Sequence, residues 1–222
     1  MAVLLSVNVG RLQPNPNQRS HRLTGIDKQP VDRAVEVRAP GSKEHGLGSG
    51  LVGDEIGDHG NHGGDGQAVY AYAREELDEW EQRLGRMLRN GMFGENLTTR
   101  GLVVSNAVIG ERWQVGDVVL QVTGPRIPCG TFRDHMAETG WLKTFATTAR
   151  SGAYLAVVTP GTVRAGDEVT VVHRPDHDVT SRLAFRALTR ERELLPLLLA
   201  AGDDLPEELR EMAQAGETYR LT

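Results

Sequence analysis

The 222-residue chain reads as mainly β with helices: a β-barrel core, one long inserted helix and a small C-terminal helical appendage. Three observations predict that class. Short apolar runs with period-two alternation are punctuated by Gly-Asp steps at 53–54, 57–58, 116–117 and 166–167, as in a closed or nearly closed barrel. No βαβ rhythm is visible. Helical spacing is confined to one central segment and to the chain beyond about residue 178.

The first ten residues, MAVLLSVNVG, form an apolar, β-branched run that predicts a strand ending at Gly10. Residues 11–30, with Pro14 and Pro16, predict a loop or a pair of turns. VDRAVEVRA (31–39) predicts a second strand through Val31, Val35 and Val37. The tract 40–66 carries ten glycines and almost no periodicity, and long glycine loops inside a compact domain are usually functional or disordered. Apolar residues at Val69, Ala73, Leu77, Trp80, Leu84 and Leu88 then follow helical spacing up to Gly91; residues 68–72 fit an extended chain equally well. RWQVGDVVLQVTGP predicts strands, and GAYLAVVTPGTVRAGDEVTVVHRP predicts a hairpin-like pair around Pro160 and Gly161. The segment from Asp178 is helical, with Pro206 suited to a first helical turn.

Composition narrows the function. A net charge of -5 gives no general affinity for nucleic acid or anionic membranes. Three lysines stand against twenty-two arginines, so an anion site is expected to use bidentate guanidinium groups. One cysteine rules out an internal disulfide. The start lacks a basic leader and a small-residue cleavage site, and LLPLLLAA (194–201) is too short for a membrane span, so a cytoplasmic location is expected.

The chemistry-bearing motifs differ in strength. GSGLVG (48–53) matches G-x-G-x-x-G, but a polar loop precedes it and no helix follows, so no NAD site is expected. His45, His59 and His62 lie among Asp54, Asp58 and Asp65, yet H-E-x-x-H is missing; His62 in NHGG suits an anion contact beside a backbone nest at Gly63 and Gly64 better than metal ligation. GPRIPCG (124–130) is the strongest signal. Pro125 and Pro128 restrict the backbone around Cys129, and Arg126 can hold a thiolate charge and lower the thiol pKa. The segment leaves a well-patterned strand, which puts it at a barrel rim.

HGG followed by AVYAY, then GMFGENLTTRGL, GPRIPC and GAYLAVVTPGTVRAGDEV occur in the order found in MOSC domains. The chain resembles that family, and within it the free-standing bacterial YiiM-like branch. The resemblance implies a MOSC β-barrel over residues 1–177, a helical extension over 178–222, and a molybdenum cofactor (molybdopterin) with Cys129 ligating molybdenum. Thiolate is a soft ligand suited to that metal. His62, Gly63, Gly64 and Arg126 would hold the anionic pterin, with Glu95, Asn96 and Arg150 as further pocket candidates. The branch resembles reductases of small-molecule N-hydroxylated bases and related compounds. With no second cysteine for an iron–sulfur cluster, such chemistry requires an external electron donor protein, a flavin or iron–sulfur reductase. Two other roles remain open: a sulfur carrier with a persulfide on Cys129, and a cofactor-escort protein. No lysine lies in a Schiff-base context, so pyridoxal phosphate is not expected. The tail could recruit a redox partner or cap the barrel.

Overall fold

The computed structural model describes residues 1–17 and 22–221. Its core is a seven-stranded barrel of β1 (Ala2–Val9), β2 (Val69–Ala73), β3 (Leu97–Arg100), β4 (Arg112–Val115), β5 (Val118–Gly124), β6 (Ala153–Thr159) and β7 (Glu168–His173). The strand order is β7-β4-β5-β6-β2-β3-β1, and β1 closes on β7 with Ala2 opposite Val169. Every barrel pairing is antiparallel except β2 with β3. Parallel neighbours need a crossover, and the chain supplies α1 (Arg74–Leu84) between them.

Alternation along the strands explains two apolar layers. On β2, Val69, Ala71 and Ala73 face the barrel interior with Leu4, Trp113, Leu120 and Leu155. Tyr70 and Tyr72 point the other way, into an aromatic layer under the helices. There Trp80 of α1 meets Trp141 and Phe145 of α3 (Trp141–Thr148), with ring centroids 4.9 and 5.9 Å away. Phe132 of α2 (Gly130–Met136) joins the same layer.

Several expectations are corrected. The central helix ends at Leu84, not near Gly91: Gly85 adopts a left-handed conformation and its N–H donates to the Glu81 carbonyl, which stops the helix although the apolar spacing runs on to Leu88. Residues 69–73 are extended. The expected strand over 31–39 shrinks to Val35–Val37, which pairs with Gly161–Val163. That pairing also dissolves the expected hairpin around Pro160, because β6 and β7 bond to other strands. Within 11–30 the described residues form a small antiparallel pair, Gln13–Pro14 with Leu23–Thr24; residues 18–21 of that expected loop lie outside the described residues.

The tail is helical, with α4 (Ser181–Thr189), the single turn α5 (Leu195–Leu198) and α6 (Glu207–Ala215). Thr180 caps α4 by accepting from the Leu183 N–H. The helices share an apolar cluster with Ile109, while Phe185 of α4 reaches into the aromatic layer beside Phe145. No helix among the described residues is long and apolar enough to cross a membrane.

Candidate functional site

Strand β5 delivers its end, Gly124, to the barrel rim, and Pro125 to Pro128 carry the chain to Cys129, directly before α2. Here opens a cavity of about 770 Å³. Of the residues singled out by sequence, Cys129, Arg126, His62, Gly63 and Asn96 line it; Gly64, Glu95 and Arg150 do not.

Cys129 is half-buried and free. Burial pushes its thiol pKa up, but interaction with the His62 imidazole and the charge of Arg126 outweigh this and bring it from 9.0 down to about 6. A thiolate is therefore the resting form at neutral pH. Arg126 is only 4% exposed. Its guanidinium lies over the Phe132 ring at 3.8 Å and the Tyr70 ring at 5.7 Å, and it donates to the Phe93 carbonyl at 3.2 Å. Among the described residues no carboxylate forms an ion pair with it. A buried cation without a counter-ion is costly, and its charge is left for the thiolate or a bound anion.

Asn96 belongs to a buried polar network. Its Nδ2 donates to Asp54 Oδ2 at 2.9 Å, and its Oδ1 accepts from the Tyr70 N–H. Asp54 Oδ1 accepts from the Gly10 N–H at 2.6 Å and from Lys28 Nζ at 2.5 Å. Lys28, Lys43 and Asp54 all line the cavity, as do Tyr70 and Tyr154. Sequence reasoning missed the two lysines and the two tyrosines, and weighed Asp54 only among possible metal ligands. The scarcity of lysine was the available signal, since two of the three lysines line this cavity.

The other candidates have structural partners. Glu95 is fully buried and closes the 91–95 turn: its carboxylate accepts from the Gly91 and Phe93 N–H groups and the Thr98 hydroxyl. Arg150 instead pairs with Glu79 on α1. The expected nest at 62–64 does not form, because the His62 N–H donates to the Asp58 carbonyl and the Gly64 N–H to the Gly48 carbonyl. Gly63 and Gly64 both have positive φ, and a Cβ on either would come within 2.8 Å of neighbouring backbone; they serve close loop packing. Among the described residues no three His, Cys, Asp or Glu side chains group to hold a metal ion. His45 is exposed beside Glu44, and His59 packs over Gly48.

The site can therefore bind an anion at Arg126 and offer one soft thiolate. A bare metal ion would find too few protein ligands at Cys129, whereas a metal that brings its own anionic chelate needs only one. The residues present fit such a group.

Comparison with known proteins agrees on the architecture. The MOSC domain model matches residues 58–170. The chain is 31% identical over 183 residues to the uncharacterized protein YflK of Bacillus subtilis, covering 82% of this chain and 79% of that protein. It is 33% identical to protein YiiM of Escherichia coli, over 69% of this chain and 71% of that one. A protein named reductase from Gibberella moniliformis is 30% identical across 92% of this chain, which spans only 35% of that longer protein. The crystal structure of YiiM from Geobacillus stearothermophilus superposes with a TM-score of 0.76 at 26% identity, covering 97% of this chain and 99% of that one.

Proposed function

The chain belongs to the MOSC domain family, and from that premise we propose that it is a molybdenum-cofactor-dependent oxidoreductase that removes oxygen from small N-hydroxylated bases and related compounds. The observation that carries this reading is the acidified Cys129 thiol beside the unpaired Arg126 charge, both facing one large cavity. Cys129 would bind the metal. Arg126 and Lys43, with His62, would hold the anionic pterin and its phosphate.

When bound, the cofactor supplies a metal centre able to take up oxygen and cycle between oxidation states separated by two electrons. The overall change is cleavage of an N–O bond: the N-hydroxylated compound, two electrons and two protons give the N–H compound and water. A flavin or iron–sulfur reductase would provide the electrons, because one cysteine cannot hold an iron–sulfur cluster. The chain's own part is to keep Cys129 ionised, neutralise the bound anion at Arg126, and shield the centre within the aromatic and loop walls.

An acidified thiol also suits a persulfide carrier, and one experiment separates the two. Wild type and Cys129→Ser are purified from a host that makes the cofactor, and molybdenum, Cys129 persulfide and turnover of N-hydroxylated bases with a reductant are measured. Molybdenum and turnover in wild type, both lost in the variant, support the proposal. Equal molybdenum in both proteins overturns Cys129 as ligand, and persulfide without molybdenum favours the carrier.

A further inference from the structure

The tail is fastened to the barrel at a buried polar junction outside the Cys129 cavity, with the turn 149–152 at its centre. The Tyr70 and Tyr72 hydroxyls donate to the Ser151 and Arg150 carbonyls at 2.8 Å each, and a Cβ on Gly152 would stand 2.4 Å from the Ala71 carbonyl oxygen. The turn is therefore wedged against β2 without slack. From the tail, Ser181, the first residue of α4, donates to the Gly152 carbonyl at 2.7 Å, and Arg182 Nε donates to the Ala149 carbonyl at 3.3 Å. From the short turn Val104–Asn106, Ser105 Oγ accepts from the Gly152 N–H at 3.0 Å and donates to Glu76 Oε2 at 2.9 Å.

Glu76, on α1, is 4% exposed, yet its Oε1 has no hydrogen-bond partner among the described residues. The Arg182 guanidinium stops 3.6 Å away. The other groups around it do not close the gap. Arg150 of the turn pairs with Glu79, Glu75 accepts from the Gly101 N–H, and burial keeps Tyr70 and Tyr72 of β2 neutral. A buried carboxylate with one oxygen unsatisfied favours its protonated form. Burial accordingly raises the Glu76 pKa above its ordinary 4.5, and the Ser105 hydrogen bond and the charges of Arg182 and Arg150 offset only part of this.

We propose that Glu76 is a proton-operated clasp between the tail and the barrel. As a neutral acid it lets α4 seat firmly on the 149–152 turn; as a carboxylate it leaves a buried charge half paired and loosens that seat. The folded protein binds the Glu76 proton more tightly than the unfolded chain does. This contribution is therefore complete below about pH 4.5 and is lost as pH rises through the higher folded value. The tail supplies Leu188 and Leu209 to the cavity lining, and the Leu188 carbonyl accepts from the Tyr219 N–H. The clasp thus sets how firmly that side of the cavity is closed, tighter in acid and looser in alkali. It is independent of the chemistry at Cys129.

Amide hydrogen exchange of the full-length protein tests the clasp. The Ala184 and Tyr219 amides, bonded to the Thr180 and Leu188 carbonyls, report the tail, and Leu120 of β5 reports the barrel. Glu76→Gln keeps an acceptor for Ser105 but cannot ionise. At about pH 8 it is expected to slow exchange of both tail amides about tenfold relative to wild type, the scale of one buried acceptor left unsatisfied, with Leu120 unchanged. At about pH 4.5 the two proteins are expected to exchange alike. Arg182→Met removes the nearest opposing charge and is expected to speed tail exchange more at pH 8 than at pH 4.5, a difference that disappears in the double variant; it keeps the test open if Glu76→Gln fails to fold. His177 and Asp204, also ionisable in the tail, are common to all these proteins and cancel in the ratios. No slowing by Glu76→Gln, the same slowing at both pH values, or a slowing shared equally by Leu120 overturns the clasp.

Discussion

Lys28 and Arg126 reach the same cavity as buried cations, but their surroundings differ. Lys28 is matched by Asp54, itself held by Asn96 and the Gly10 N–H. Arg126 has two aromatic faces and a carbonyl. The first charge is neutralised within the fold and ties the N-terminal loops to β2 and β3. The second is left with a field that reaches Cys129. Net charge alone hides this contrast: a chain of charge -5 still holds one buried guanidinium with no carboxylate paired to it among the described residues.

The largest test of the comparison is Asp54→Ala. It strands the Lys28 ammonium, and breaking a buried pair in this way costs about 3–5 kcal/mol; urea unfolding of the cofactor-free protein reads the loss. Arg126→Met, which removes an unmatched charge, is expected to cost clearly less. If the two variants lose equal stability, the contrast fails.

The second test is pH. The folded thiol ionises near 6, below its ordinary 9.0, so the unfolded chain binds more protons in that window. Stability from the thiolate is complete above about pH 9 and is lost as pH falls through 6. The stability gap between cofactor-free wild type and Cys129→Ser should therefore widen from pH 6 to pH 9, by at most about 4 kcal/mol. A flat gap would show that the thiol is not acidified.

Smaller effects sharpen the assignment. Arg126→Met and His62→Gln should each raise the Cys129 pKa, read from the pH dependence of thiolate absorbance or alkylation rate. Tyr70→Phe removes the hydroxyl bond to the Ser151 carbonyl but keeps the ring under Arg126. It should cost about 1 kcal/mol and leave the thiol pKa in place.

The difference between the two cations also marks what was legible in the sequence. Arg126 and Cys129 stand three residues apart on a proline-braced loop, so local reading brings them together. Lys28 and Asp54 are brought together by the packing of two irregular loops, and no period or motif announces such a pair. The barrel was legible through strand alternation and the Gly-Asp turns. Helices α2 and α3 were not, because each is a short stretch broken by the 137–140 turn and held by aromatic packing rather than by its own periodicity. Leu88 misled for the opposite reason: it is buried and in phase with the helix that had already ended at Gly85. Glu95 was offered as a pocket candidate, whereas its turn consumes both oxygens.

The closure of β1 on β7 joins Ala2 to Val169. A ribosome therefore releases the first strand long before its final neighbour exists, and the side of β1 that faces β7 waits unpaired until residues 168–169 are made. The rim loop and both cations are made during that wait, and the tail helices follow the closing strand. Delivery of any bound group to a fully walled cavity therefore follows synthesis of the tail helices, and a nascent chain stalled before residue 168 would have every residue of the Cys129 loop yet no closed vessel to put it in.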